Sequence, residues 1–147
     1  MRRSRAWPLA ALLSMASIST ACSSPPASSL PTVKATIADF RIWLGRSTVA
    51  TGPMTFVLHS RGPSTHEFKI ARTDLPPAQL SLGKDGLTVN EDSPSLSDVH
   101  RLTFIDIGQT LRVNVDLSPG NYVFFCNFEG HYLGGMHVGV RVDAPPP

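Results

Sequence analysis

Alternating apolar and polar residues recur along this chain, and they constrain its fold more than any other feature of the sequence. Over residues 111–117 every second position is apolar: Leu111, Val113, Val115 and Leu117. A period of two is typical of strands with one buried face, and no long helical period competes with it. The sequence therefore predicts an all-β protein.

The N-terminal part of this pattern changes phase. Apolar residues occupy odd positions from Val33 to Ile37 and even positions from Phe40 to Leu44. One extra residue in a strand produces such a shift, so we expect a β-bulge near Ala38 and Asp39.

Two later segments differ from simple strands. Residues 71–100 are rich in Pro, Gly, Asp and Ser, and we expect an irregular excursion that crosses between the sheets, with one helical turn near Pro77 to Leu82. Ser118 to Asn121 form a turn that Tyr122 follows directly. That placing resembles the tyrosine corner of Greek-key sandwiches.

The N-terminus carries an export signal. Arg2, Arg3 and Arg5 precede an apolar run from Trp7 to Ile18, and small residues follow at 19–21. This order is typical of a secretory signal peptide over residues 1–21, and the apolar run is short for a transmembrane helix.

Cys22 follows the predicted cleavage position directly. Ser19 to Cys22 resembles a bacterial lipoprotein box, in which the cysteine is lipidated and becomes the new N-terminus. Residues 22–32 would then be a lipidated, flexible Ser/Pro tether on the outer face of the cytoplasmic membrane, followed by a domain over 33–143 and a Pro-rich tail over 144–147. The alternative is ordinary cleavage after Ala21, which gives a free periplasmic or secreted protein.

Charge excludes one class of partner. The whole chain has 13 basic and 11 acidic residues, but three of the arginines lie in the signal, so 10 basic residues face 11 acidic ones in the mature part, a net charge of about −1. No basic cluster is present there. We therefore expect no binding to nucleic acid.

Cysteine usage points to a metal. Cys22 and Cys126 are the only two cysteines, so lipidation of Cys22 leaves Cys126 as an unpaired thiol in an oxidising compartment. The alternative is a Cys22–Cys126 disulfide, which would attach a flexible leader to a strand end. A bound metal ion explains an unpaired, exported thiol better.

Four potential ligands occur along the chain: His66, Cys126, His131 and Met136. Thiolate and imidazole with a weak axial thioether is the blue-copper electron-transfer set. Strand parity places three of them on inward faces, and a loop carries the fourth, His131. Each has an ordinary alternative as a core or surface residue. Zinc is disfavoured because thioether is a poor ligand for it, and a dinuclear copper site needs two thiolates.

Residues 33–143 resemble a cupredoxin. The resemblance rests on Thr65 to Phe68, on Leu117 to Tyr122 and on the spacing Cys126-x4-His131-x4-Met136. With these motifs the segment is similar to plastocyanin-like and sulfocyanin-like domains of bacterial exported lipoproteins. It implies a Greek-key β-sandwich of seven or eight strands. It also implies one copper ion, cycling between Cu(I) and Cu(II), with these ligands: His66, Cys126, His131 and Met136.

One departure from the family pattern concerns the residue after the first histidine. It is often Asn in plastocyanins, where it ties the two ligand loops together, but here it is Glu67. We expect Ser64 or Thr65 to take over that role.

The resemblance implies a one-electron carrier, monomeric, that meets redox partner proteins through a patch around His131. Catalytic copper sites of related enzymes need many additional histidines, and the chain has five in all, so we expect no enzyme activity. The alternative function is a lipoprotein that traffics or buffers copper.

Overall fold

The computed structural model describes residues 29–146, apart from the side chains of 98–103. The predicted signal over 1–21, Cys22 and the tether up to residue 28 lie outside the described residues. Nine strands are present in the described part of the chain: β1 (Thr32–Ala38), β2 (Arg41–Leu44), β3 (Thr48–Ala50), β4 (Gly52–Ser60), β5 (His66–Arg72), β6 (Ser97–Ile105), β7 (Thr110–Leu117), β8 (Gly120–Phe125) and β9 (His137–Asp143).

The strands form two sheets. One has the order β2-β1-β4-β7 and the other has the order β3-β9-β8-β5-β6. Between them, aromatic side chains fill the centre of the core: the ring of Phe124 meets those of Phe56 and Phe68 edge-on, with centroids 5.0 and 5.4 Å apart. The predicted all-β sandwich is confirmed, with nine strands instead of seven or eight. Within the described residues no helix is long and apolar enough to cross a bilayer.

The predicted bulge near Ala38 and Asp39 is wrong. The chain reverses there in a two-residue turn, Asp39–Phe40, so that Ala38 pairs with Arg41 and Ile37 with Ile42 across an antiparallel hairpin. The reversal itself shifts the apolar phase by one position. Phe40 is not a core residue: it has a φ of 60° and is 49 % exposed.

The excursion also runs differently from the prediction. It does not cross between sheets, because β5 and β6, which it connects, are antiparallel neighbours in one sheet. Where a helical turn was expected, Gln79 N–H donates to the Pro76 carbonyl in a single turn, and no helix follows. Its apolar residues cover the outer face of the second sheet in a separate small core: Leu80, Val89 and Leu96 against Ala71, Val123, Phe125 and Tyr132.

The tyrosine corner is present as predicted. The Tyr122 hydroxyl donates to the Ser118 carbonyl at 3.0 Å, four residues upstream. Tyr122 is itself almost fully buried, so this bond fixes how the chain enters β8. The strand then leads directly to Cys126.

Substitutions of a buried and an exposed leucine test the assignment of the core. Leu58, on the central strand β4, is fully buried, whereas Leu87 is 43 % exposed. Leu58→Ala should lower the free energy of unfolding by about 2–5 kcal/mol because it leaves a cavity in the core. Leu87→Ala should change it by less than about 0.5 kcal/mol. Urea denaturation measures both, and similar losses for the two variants would contradict this core.

Candidate metal centre

Sheet topology brings distant parts of the chain to one edge. In the second sheet β8 lies between β5 and β9 and is antiparallel to both. The start of β5, the end of β8 and the start of β9 therefore meet. His66 begins β5, Cys126 directly follows β8, and Met136 directly precedes β9.

Three of the four predicted ligands come together at this edge. One donor atom from each of His66, Cys126 and His131 lies within 4.8 Å of the other two. The Cys126 sulfur is 3.5 Å from His131 Nδ1, and the two imidazole centroids are 5.4 Å apart. His66 and Cys126 are fully buried, and His131 is half-buried at the rim.

His66 has unused hydrogen-bonding capacity. Neither ring nitrogen makes a hydrogen bond within the described structure, although the side chain is completely buried. Nε2 lies 3.2 Å from the Asp39 carboxylate, close enough for an ion pair but without hydrogen-bond alignment. Burial lowers the pKa of His66, and Asp39 opposes this only in part. A neutral, buried imidazole with a free nitrogen is what a metal ion would complete.

Cys126 is a buried thiol without a disulfide partner among the described residues. Burial raises its pKa, although backbone N–H groups of Phe128 and Glu67 favour the thiolate. The Glu67 N–H donates to the sulfur at 3.4 Å. Thiolate and imidazole donors suit a soft or borderline metal such as copper, whose charge would stabilise the ionised sulfur.

Met136 is fully buried in the main core. The Cys126 N–H donates to its carbonyl at 3.1 Å, and its own N–H donates to the His131 carbonyl at 3.0 Å. These two backbone bonds close the ligand loop, residues 126–136, and bring the main chain of Met136 beside those of Cys126 and His131. Axial ligation by the Met136 thioether stays a prediction.

A buried polar network lies next to the site, and it was not predicted from the sequence. Lys69, 4 % exposed, forms ion pairs with Glu67, at 2.9 Å, and with Glu91. The Asn127 side-chain amide donates to the same Glu91 carboxylate at 2.6 Å. The network therefore links the residue after His66 to the residue after Cys126. Its one sequence signal is a lysine between the apolar residues Phe68 and Ile70.

The prediction that Ser64 or Thr65 ties the segment of His66 to the cysteine loop is wrong. The Ser64 hydroxyl donates to Asp39 and the Thr65 hydroxyl to Asp106, so neither reaches the cysteine loop. Glu67 itself makes the connection, through its backbone N–H and through Lys69.

The 71–100 excursion supports the ligand loop from outside. Three loop residues bond to it: Asn127 to Val89, Gly130 to Leu87, and Tyr132 to Leu80 and Pro77. The Tyr132 hydroxyl both accepts and donates, at 2.8 Å in each case. The excursion thus limits the movement of the segment that carries Cys126 and His131.

The chain matches no protein-family model and no curated protein sequence. It is similar in structure to reduced auracyanin from Roseiflexus castenholzii, with a TM-score of 0.52 and 17 % identity over 81 % of this chain and 100 % of that one. Rusticyanin from Thiobacillus ferrooxidans gives a TM-score of 0.52 and 14 % identity over 76 % and 77 %. A multicopper oxidase from Pediococcus acidilactici gives 0.51 and 17 % over 84 % of this chain but 29 % of that one.

At these identities the likenesses show a shared fold. The predicted cupredoxin-like sandwich is confirmed by them.

Substitution of Asn127 tests whether its side-chain amide holds the ligand loop in place. Its oxygen accepts from Val89 N–H at 2.6 Å and its nitrogen donates to the Val89 carbonyl at 3.1 Å. Asn127→Ala leaves both groups without this partner and should lower the free energy of unfolding of the metal-free protein by about 1–3 kcal/mol. Thermal or urea unfolding measures the change.

Asn121→Ala is the matched control. The Asn121 amide makes one exposed bond, to Asp74, so its loss should cost less than about 0.5 kcal/mol. Equal effects of the two substitutions would show that Asn127 does not brace the loop.

Proposed function

We propose that this protein is a type 1 copper protein that carries one electron at a time between partners outside the cytoplasmic membrane. The observation that carries the proposal is the convergence of His66, Cys126 and His131 within 4.8 Å, two of them fully buried. That donor set, with Met136 as the axial ligand, is the one that type 1 copper prefers. A structure of rusticyanin described as a copper protein, TM-score 0.53 and 15 % identity, supports it at the level of fold.

The role of the protein is to hold the metal-binding atoms in fixed positions. Copper, when bound, supplies a one-electron couple between Cu(I) and Cu(II). His66 is fixed by the strand β5, and the loop that carries Cys126 and His131 is closed by its own backbone bonds. Rigid donors need little rearrangement when one electron arrives or leaves, and no bond of the protein is made or broken.

His131 is the proposed electron port. It is half-buried, and the ring of Phe40 packs edge-on against it, with centroids 5.4 Å apart. Phe40 is 49 % exposed, and Leu133, which lies in the same loop as His131, is 52 % exposed. A small apolar rim around a histidine edge suits the weak, small interfaces of redox partners.

We propose an electron carrier in preference to an oxidase. Residues 29–146, leaving aside the side chains of 98–103, contain one cluster of three or more potential metal-binding His, Cys, Asp or Glu residues. The chain also spans only 29 % of the multicopper oxidase that it resembles. A single site can pass on electrons one at a time, but it offers no second centre at which to collect them.

Export and lipidation remain part of the proposal because they rest on the sequence of the N-terminus. If Cys22 is lipidated, the expressed protein should partition into membranes, and Cys22→Ala should release it or block its processing. Ser23→Ala is the control and should behave as wild type. Membrane fractionation and intact mass decide the point: unmodified wild-type protein in the soluble exported fraction would favour ordinary cleavage after Ala21.

The thiolate is the source of the predicted colour. The oxidised protein with one copper ion should be intensely blue, because the Cys126 thiolate donates charge to copper, and Cys126→Ser should abolish that absorption. His59→Ala, which alters an exposed histidine on β4, should leave the colour unchanged. Visible absorption decides it. Stoichiometric copper with only the faint colour of a nitrogen and oxygen site would contradict the proposal.

Met136 is the proposed axial ligand. Met136→Gln should keep the colour and lower the reduction potential, because a harder oxygen donor favours Cu(II), whereas Met136→Leu should raise it. We expect changes of about tenfold in the redox equilibrium, which is 59 mV for one electron. Met54→Leu, also buried but on β4, should leave the potential in place. Cyclic voltammetry measures it, and unchanged potentials in both Met136 variants would mean that Met136 only packs.

A further inference from the structure

The turn between β1 and β2 reaches both candidate histidines. Asp39 places a carboxylate oxygen 3.2 Å from Nε2 of His66, and the next residue, Phe40, packs its ring against His131. Two consecutive residues of one turn, some distance in sequence from every predicted ligand, thus contact the two imidazoles from the first sheet.

The position of Asp39 is well fixed. Ser64 donates to it twice, from its backbone N–H at 3.2 Å and from its hydroxyl at 3.0 Å. Phe40 has a positive φ, which is uncommon for a bulky residue and requires support from its surroundings. A Cβ at Gly134 would collide with the Phe40 ring, so glycine in the ligand loop is what lets the turn approach.

The arrangement at His66 is asymmetric. Neither ring nitrogen makes an aligned hydrogen bond in the described structure, but Nε2 is the one that lies 3.2 Å from the Asp39 carboxylate. His131 presents its own Nδ1 to the Cys126 sulfur. A carboxylate that receives the Nε2 proton would leave Nδ1 of His66 as the free donor atom for a metal.

We propose, building on the proposed copper function, that Asp39 is a positioning residue that selects the Nε2–H tautomer of His66 and lowers the reduction potential of the site. The carboxylate holds the proton on Nε2 and makes the imidazole a stronger donor. Its negative charge also stabilises Cu(II) more than Cu(I). The β1–β2 turn supplies this carboxylate.

Asp39→Asn removes the negative charge of the side chain and keeps its size. The amide oxygen can still accept from Ser64 N–H and from His66, and the Ser64 hydroxyl can reverse to accept from the amide nitrogen. We expect the redox equilibrium to shift about tenfold toward Cu(I), a rise of 59 mV in potential. Asp106→Asn is the control, because the exposed Asp106 accepts from Thr65 beside the same strand and, within the described residues, makes no hydrogen bond or ion pair with either histidine. It should shift the equilibrium by less than about threefold. Equal shifts in the two variants would overturn the proposal.

A second measurement does not depend on copper. In metal-free wild-type protein, nitrogen-15 NMR should show His66 in the Nε2–H tautomer, and Asp39→Ala should convert it wholly or partly to the Nδ1–H tautomer. A wild-type His66 that already carries its proton on Nδ1 would overturn the role of Asp39, even if Asp39→Asn fails to fold. Failure of the copper proposal shows itself separately, as a copper-loaded wild type without intense colour, and the tautomer then decides the case for Asp39.

Discussion

The antiparallel pairing of β8 with both β5 and β9 is the constraint on which the rest of the molecule depends. It places His66, about sixty residues before Cys126 in the chain, at the same sheet edge as the cysteine. The sandwich core then fixes this edge, because Phe124, two residues before Cys126, packs against Phe56 and Phe68. Ligands carried on well-packed strands hold their geometry better than ligands carried on free loops. The one loop that contributes donors is closed by its own backbone bonds and braced from outside by the excursion.

The site concentrates polar groups that a stable core would otherwise avoid. His66 is fully buried with its ring nitrogens unsatisfied, and Cys126 is a buried thiol whose pKa is raised by its surroundings. Close by, Lys69 is buried between two carboxylates. Buried unsatisfied groups cost stability, and native proteins accept that cost mainly at functional sites. The lysine network connects residues from three parts of the chain, so it also joins the strand of His66 to the loop of Cys126.

Local patterns were sufficient to predict the fold class and the grouping of His66, Cys126 and His131. Alternation identified β1, β2 and β7, parity placed His66 and Cys126 on inward faces, and the turn before Tyr122 identified the corner. The reversal at Asp39–Phe40 was missed because a bulge and a two-residue turn both shift the apolar phase by one position, and only tertiary pairing distinguishes them. The path of the excursion, and the contacts of Asn127 and Glu91, were missed for a different reason. They join residues about 36 apart through side-chain hydrogen bonds, which leave no periodic signal in the sequence.

X-ray absorption at the copper edge tests the central claim most directly, because it reports the atoms bonded to copper and not a property inferred from them. The protein loaded with one copper ion should show one sulfur and two nitrogen neighbours at bonding distance, as expected for ligation by Cys126, His66 and His131. A first coordination shell made only of nitrogen and oxygen would mean that Cys126 does not bind the metal, and it would contradict the account.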